Sequence, residues 1–157
     1  LIRTIQALRG ISCHLRIIGK VNDEVLNLLK ENEIDFSLTN GLSDEEIRKE
    51  YIECDIVNFP SIYEGFGMPI IEGQQTGRVV VASHIEPLIE ISGVQYVDPN
   101  SIDSIRNAYL KLIADSNLRN MLIRKGLENV RRFRVDVIAN QYLNLYSELA
   151  IILVYIL

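Results

Sequence analysis

The chain has 157 residues, of which 48% are hydrophobic and 24% are charged. That length suffices for one domain with a sizeable core and leaves no room for a second full domain. With 16 basic and 21 acidic residues the net charge is −5, which argues against a general electrostatic grip on nucleic acid. Any anionic ligand must therefore be held by a local arrangement of groups.

The alternation of short apolar runs with longer amphipathic stretches predicts an α/β fold, in which helices cover a parallel sheet. Residues 1–8 already have helical spacing, so the chain is expected to begin inside an element. The apolar runs predict five strands: His14–Ile18, Ile34–Leu38, Asp55–Phe59, Val79–Ala82 and Gln95–Val97.

Helices are expected between the strands and throughout the last third of the chain. Ser43 and Glu46 have the spacing of a capping box, which marks the start of one of them. The predicted helices are Asp23–Lys30, Asp44–Ile52, Ser101–Ala114, Leu118–Val130 and Val135–Leu149.

Two further features limit the location of the protein. Cys13 and Cys54 have no CxxC or Cys/His spacing and are predicted to be reduced core residues, which fits a cytoplasmic setting. The apolar end, residues 149–157, is far shorter than the roughly 20 residues that cross a bilayer. It is predicted to be a helix or tail that packs on this domain or on one absent from the chain.

The stretch EGFGMPIIEGQQTG, from Glu64 to Gly77, follows the third predicted strand. Pro69 suits the first turn of a helix and Gly77 the residue after its end, which predicts a helix from about Pro69 to Thr76. Gly65 and Gly67 lie directly before it, where unpaired backbone N–H groups and the helix dipole favour an anion. This loop is therefore a candidate diphosphate site at the carboxyl end of a strand.

The carboxylates of this stretch, Glu64 and Glu72, call for another ligand group, because a bound diphosphate repels them. An ionised carboxylate only accepts hydrogen bonds, so sugar and ribose hydroxyls are suitable donors. A nucleotide sugar presents its groups in the matching order. The simpler alternatives are a tight turn for the two glycines, a dipole contact for Glu72, and packing roles for Phe66 and Met68.

The segment PSIYEGFGMPIIEGQQTGRVVVAS resembles the E-x7-E region of the retaining GT-B glycosyltransferases of group 1, or family 4. The resemblance continues along nearly the whole chain, from LIRTIQAL and HLRIIGK to the closing helices. It implies a Rossmann-like parallel sheet flanked by helices, forming the donor-binding half of a GT-B enzyme. In that family the half binds a nucleotide sugar whose hexosyl group passes to an acceptor hydroxyl.

The resemblance also implies roles for individual residues. Glu64 matches the glutamate that contacts the donor sugar, and is the candidate catalytic residue. Glu72 matches the glutamate that binds the ribose hydroxyls. The donor is also expected to meet the backbone amides of the loop, which are those of Gly65, Phe66, Gly67 and Met68. Asn40, Gly41 and Leu42 correspond to the surroundings of the nucleobase. A UDP- or GDP-linked donor, with no metal and no other cofactor, is expected.

The chain also departs from the family pattern. In the family, the acceptor-binding domain precedes this half, and so do the basic residues that neutralise the diphosphate. Both are expected upstream of Leu1. The chain is therefore expected to be truncated at its N-terminal edge and inactive alone. Within the matched region, Gly73, Gln74 and Gln75 stand where small apolar residues are usual, which puts the packing of this helix in question. A non-catalytic Rossmann-like module that binds a nucleotide or a protein is the alternative function.

A run of basic residues in the last third allows two interpretations: Arg119, Arg124, Lys125, Arg131, Arg132 and Arg134. Such a surface attracts anionic lipid headgroups, and enzymes of this kind often use lipid-linked or glycan acceptors. A peripheral position at the inner face of the membrane would follow. Because the charges spread over more than one face, a solvated helix surface is favoured.

Overall fold

The computed structural model describes the backbone of residues 1–156 and the side chains of residues 1–150. Strands and helices alternate as predicted, and the three longest helices close the chain. The elements are α1 (Ile2–Leu8), β1 (His14–Ile18), α2 (Asp23–Glu31), β2 (Asp35–Thr39), α3 (Asp44–Glu53), β3 (Ile56–Phe59), α4 (Met68–Gln75), β4 (Val79–Ser83), β5 (Val94–Val97), α5 (Ile102–Ala114), α6 (Ser116–Asn129) and α7 (Val135–Ile156).

The predicted strands are confirmed to within one residue at each end, and the differences have local causes. β2 begins at Asp35 because the backbone N–H of Ile34 donates to the carbonyl of Leu29 at 3.0 Å and so closes α2. The predicted capping box is present, since Ser43 and Glu46 satisfy each other's backbone N–H groups at the start of α3.

The strands are parallel, as predicted, and they form two ladders. β1 pairs with β2, while β4 lies between β3 and β5. A cavity of about 860 Å³ lies between β1 and β3, lined by the strand His14–Ile18 on one side and by residues 54–58 on the other. The predicted parallel arrangement flanked by helices is confirmed, and among the described residues it is divided into two ladders at this gap.

The core lies on both faces of β4, which is buried at every residue. One cluster packs α1, α2, α5 and α6 together and includes Ile5, Leu29 and Leu112, all fully buried. The other lies beneath α4 and includes Ile70 and Leu88. This two-sided burial is typical of parallel strands covered by helices.

α4 packs tightly, although its sequence put that packing in question. A Cβ on Gly73 would lie 2.9 Å from Val57 Cγ2, so only glycine lets the helix approach β3 this closely. Gln74 is 1% exposed; its Nε2 donates to the Ser92 carbonyl at 2.7 Å, and its Oε1 accepts from Asn129 Nδ2 at 2.9 Å. These residues lock α4 onto the sheet and onto α6.

The apolar end of the chain begins on α7, which extends to Ile156. The side chains of residues 151–157 lie outside the described part, so the predicted packing of residues 149–157 stays a prediction. In the part of the chain that the structure describes, no helix combines the length and the hydrophobicity required to span a bilayer.

Candidate functional site

The glycine loop, defined here as residues 60–67, connects the carboxyl end of β3 to the start of α4. Its base is fixed to the sheet because the Ser83 hydroxyl, at the end of β4, donates to the carbonyl of Ser61. Its tip is open to solvent: Ile62 and Tyr63 are 70% and 87% exposed. A fixed base and an open tip leave the loop backbone accessible to a ligand.

The two glycines of this loop differ in what the fold requires of them. Gly67 has φ +84°, and a Cβ there would lie 2.7 Å from Leu88 Cδ2, so the turn into α4 needs glycine. Gly65 lies outside the positive-φ region, and a Cβ there would meet nothing within 4 Å. The fold therefore does not explain Gly65, and the space beside it is free for a close approach of ligand to backbone.

The amino terminus of α4 has no side-chain cap, since Gly67 is its N-cap residue, and no acidic residue lies in its first turn. Pro69, the second helical residue, has no N–H to satisfy. The positive end of the helix dipole therefore faces the glycine loop without a counter-charge from the first turn. This geometry suits an anion such as a diphosphate.

Glu64 lies within the glycine loop and is partly buried. The Ser61 hydroxyl donates to its Oε1 at 2.8 Å, and both residues belong to the same short segment. Since one oxygen is held in this way, Oε2 and the remaining lone pairs can accept hydrogen bonds from a ligand hydroxyl.

Glu72 is the fifth residue of α4, so it lies in the second turn and not in the first turn, where a dipole contact would place it. The helix dipole acts mainly within the first turn, so it does not account for this carboxylate. The Tyr51 hydroxyl on α3 donates to Glu72 Oε2 at 2.8 Å. Burial, followed by the Glu72 carboxylate, raises the pKa of Tyr51 far above its usual range, so the hydroxyl keeps its proton at neutral pH.

The contact between Tyr51 and Glu72 was missed in the sequence. A partial signal exists, because Ile47, Tyr51 and Cys54 have helical spacing and are all partly buried, which places Tyr51 on the inward face of α3. Spacing alone does not identify the side chain that an inward-facing tyrosine meets on another helix.

Phe66 and Met68 are 47% and 54% exposed, so neither is a core residue, although each side chain is about half covered. The Phe66 ring meets the edge of Phe133, with their centroids 5.5 Å apart. Both residues flank Gly67, and their backbone amides lie at the start of α4. Their predicted contribution through backbone atoms is compatible with this placement.

The predicted base pocket lies in the turn after β2, on the other ladder. Asn40 and Gly41 are exposed, Leu42 is partly buried, and Gly41 has φ +69°. In the described part of the chain the Asn40 side chain makes no hydrogen bond. The structure therefore does not join these residues to the glycine loop, and their role with the base stays a prediction.

Cys13 and Cys54 are both free thiols, and each is partly buried and packs against one of the two core clusters. Burial raises the pKa of each thiol, which lowers its reactivity at neutral pH. Among the described side chains, those of residues 1–150, no three His, Cys, Asp or Glu groups are close enough together to hold a metal ion.

Several members of the basic run make contacts within the chain. Arg119 donates to the Ile113 carbonyl at 3.0 Å, at the end of α5. Arg134 pairs with Asp136 at 3.0 Å, and the Arg132 guanidinium lies 4.7 Å from the centroid of the Phe133 ring. These contacts favour the interpretation of the run as an ordinary helix surface.

The sequence matches the model of the family described as glycosyl transferases group 1 over residues 1–129. The chain therefore belongs to this family, as the resemblance implied. Among curated proteins it is 32% identical over 106 residues to the O-antigen chain mannosyltransferase B of Escherichia coli. This alignment covers 66% of the present chain and 28% of that protein. The chain thus spans less than a third of this relative.

Solved structures give the same assignment. A sucrose-phosphate synthase from Thermosynechococcus elongatus superposes with a TM-score of 0.80 at 25% identity, over 94% of this chain and 42% of that one. The C-terminal domain of a group 1 family glycosyltransferase from Francisella tularensis gives 0.65 at 26% identity, over 85% and 77% of the two chains. The Rossmann-like α/β fold of one half of a GT-B glycosyltransferase is confirmed.

Proposed function

We propose that this chain is the donor-binding half of a retaining, GT4-like hexosyltransferase, which holds a nucleotide-diphosphate sugar for transfer to an acceptor hydroxyl. One arrangement carries the proposal: an uncapped helix terminus and a glycine that the fold does not require lie between two carboxylates, each held by a hydroxyl through a single oxygen. Membership of the glycosyltransferase family supports the same function.

In this proposal the donor lies across the glycine loop. The diphosphate meets the amides around Gly65, Phe66, Gly67 and Met68, where the dipole of α4 stabilises the negative charge that grows as the diphosphate departs. Glu64 accepts from sugar hydroxyls near the reacting carbon, and Glu72 accepts from the ribose. The UDP or GDP base extends towards Asn40, Gly41 and Leu42.

The rest of the active site is proposed to come from an acceptor-binding domain in a longer chain. That domain presents a glycan or lipid-linked hydroxyl, and upstream basic residues neutralise the diphosphate. The full-length enzyme is proposed to act in the cytoplasm, at the inner face of the membrane when its acceptor is lipid-linked, in glycan biosynthesis. The 157-residue chain by itself binds the donor without turnover.

The alternative is a module that keeps the scaffold without the chemistry. A scaffold alone needs Gly67 for its turn and Gly73 for packing, but it has no use for Gly65 or for a Glu64 carboxylate held through one oxygen. These two residues therefore favour donor binding over a bare scaffold.

The test is a thermal-shift titration of the 157-residue chain with UDP, GDP, ADP and TDP. A ligand at ten times its dissociation constant adds about 1.4 kcal/mol, which raises the melting temperature by roughly 3–6 °C in a domain of this size. We expect a shift with UDP or GDP that becomes smaller in Glu72→Ala, because the ribose then loses its acceptor. Glu128→Ala, which removes an exposed carboxylate on α6, is the matched control and keeps the shift. No shift with any nucleotide would refute donor binding by this chain.

A further inference from the structure

The Glu72 carboxylate receives a hydrogen bond from a distant part of the sequence. Tyr51 precedes it by 21 residues, and the two side chains meet where α3 packs on α4. We propose that Tyr51 is a positioning residue for donor binding, which orients the Glu72 carboxylate towards the two ribose hydroxyls. The inference rests on the proposed function, because it assigns how the ribose carboxylate of that function is held.

The chemistry of the pair leaves the carboxylate available to a ligand. Tyr51 has a single hydrogen to donate, and it goes to Glu72 Oε2 at 2.8 Å. An ionised carboxylate has about four acceptor positions, so Oε1 and one lone pair of Oε2 remain free. Two adjacent ribose hydroxyls can donate to these two oxygens together, provided that the plane of the carboxylate is fixed.

Fixing that plane costs conformational entropy of the Glu72 side chain. The hydrogen bond from Tyr51 offsets this cost before the ligand binds. A glutamate side chain loses rotamer entropy when it is immobilised. Without Tyr51 the ligand would have to order Glu72 as it binds, which lowers its affinity. Since Tyr51 keeps its proton at neutral pH, it is a permanent donor to the carboxylate.

Tyr51→Phe tests this role, because it removes the hydroxyl and keeps the ring. The control is Tyr109→Phe: the Tyr109 hydroxyl donates to Asn58 Oδ1 at 2.5 Å in the core, and Asn58 also contacts Thr4 and not Glu72. Both variants lose one partly buried tyrosine hydrogen bond. They differ in whether the partner is the proposed ribose ligand.

The measurement is calorimetric titration of the 157-residue chain with UDP and GDP, and with their 2′,3′-dideoxy analogues. In Tyr51→Phe we expect the nucleotide that binds to lose about five- to tenfold in affinity, while its dideoxy analogue is unaffected. In Tyr109→Phe the ratio of the two affinities is unchanged. In a Glu72→Ala background, adding Tyr51→Phe has no further effect, since the group that the tyrosine orients is gone.

Three results separate the possible failures. Equal weakening of both nucleotides in Tyr51→Phe, or no weakening of either, overturns the positioning role while the proposed function stands. Additive losses in the double variant overturn it as well, because the two residues then act independently. If the unchanged chain binds neither UDP nor GDP, the proposed function fails and the positioning role falls with it.

Discussion

The two sides of the candidate site, the glycine loop and helix α4, hold their carboxylates in different ways. Glu64 is held by Ser61, three residues away in an exposed segment, and the fold gains little from either side chain. Glu72 is held by Tyr51 from another helix, next to residues that pack α4 on the sheet. Residues 62–65 of the loop can therefore change with little loss of stability, whereas changes in α4 affect folding and binding together.

The largest effect on stability is expected on the helix side, in Gln74→Ala. This change leaves Asn129 Nδ2 and the Ser92 carbonyl without their partner in a buried place, and it also creates a cavity. We expect a loss of about 2–4 kcal/mol in the free energy of unfolding, measured by urea denaturation. Gln75→Ala, at the exposed neighbouring position, should change it by less than about 0.5 kcal/mol. Equal losses in the free energy of unfolding for the two variants would contradict the role of Gln74 in holding α4 against the sheet and α6.

Gly67→Ala, at the junction of the two sides, is expected to be nearly as costly. It places a Cβ at φ +84° and 2.7 Å from Leu88 Cδ2, for a combined loss of about 2 kcal/mol in the free energy of unfolding. Gly77→Ala has a similar φ of +71° but nothing within 4 Å, and should cost about 1 kcal/mol. Urea denaturation of the two variants separates these contributions, because Gly77→Ala has only the backbone strain and Gly67→Ala has the steric contact as well.

Gly65→Ala tests the loop side, where stability and binding are expected to separate. Because the new Cβ meets nothing within 4 Å, the free energy of unfolding should change by less than about 0.5 kcal/mol. The affinity for UDP or GDP should fall about tenfold, since the Cβ fills the space proposed for the diphosphate. Calorimetric titration measures this fall, and an unchanged affinity would place the phosphates elsewhere.

Glu64→Ala is expected to have the smallest effect on folding, because it removes only a local contact with Ser61. Affinity for the bare nucleoside diphosphate should be unchanged, whereas affinity for the matching nucleotide sugar should fall by about five- to tenfold. Calorimetric titration of both ligands into this variant shows whether Glu64 contacts the sugar or the nucleotide part of the donor. If bare nucleotide binding also falls, Glu64 does not face the sugar.

Features set by neighbouring residues were predictable from the sequence. The capping box of Ser43 and Glu46, the turn at Gly67 and the strands of the sheet follow from spacing over a few positions, and all are present. The position of the glycine loop between β3 and α4 was predictable for the same reason.

Features set by contacts between distant residues were not. The pairing of Tyr51 with Glu72, and the buried network of Gln74, Ser92 and Asn129, join segments that are 18 to 55 residues apart. From the sequence, a glutamine on a short helix such as Gln74 is expected at the surface, because the residues that bury it lie far away in the chain. The interruption between β1 and β3 was missed because a hydrophobic run predicts a strand without naming its neighbour.

That interruption sets how the backbone exchanges hydrogen with solvent. A strand paired on one edge directs every second amide to its neighbour and the others to the open edge. Along β1 and β3, amide deuteration should therefore alternate between slow and fast positions. Along β4, which is paired on both edges, it should be uniformly slow, and the contrast would map the open seam residue by residue.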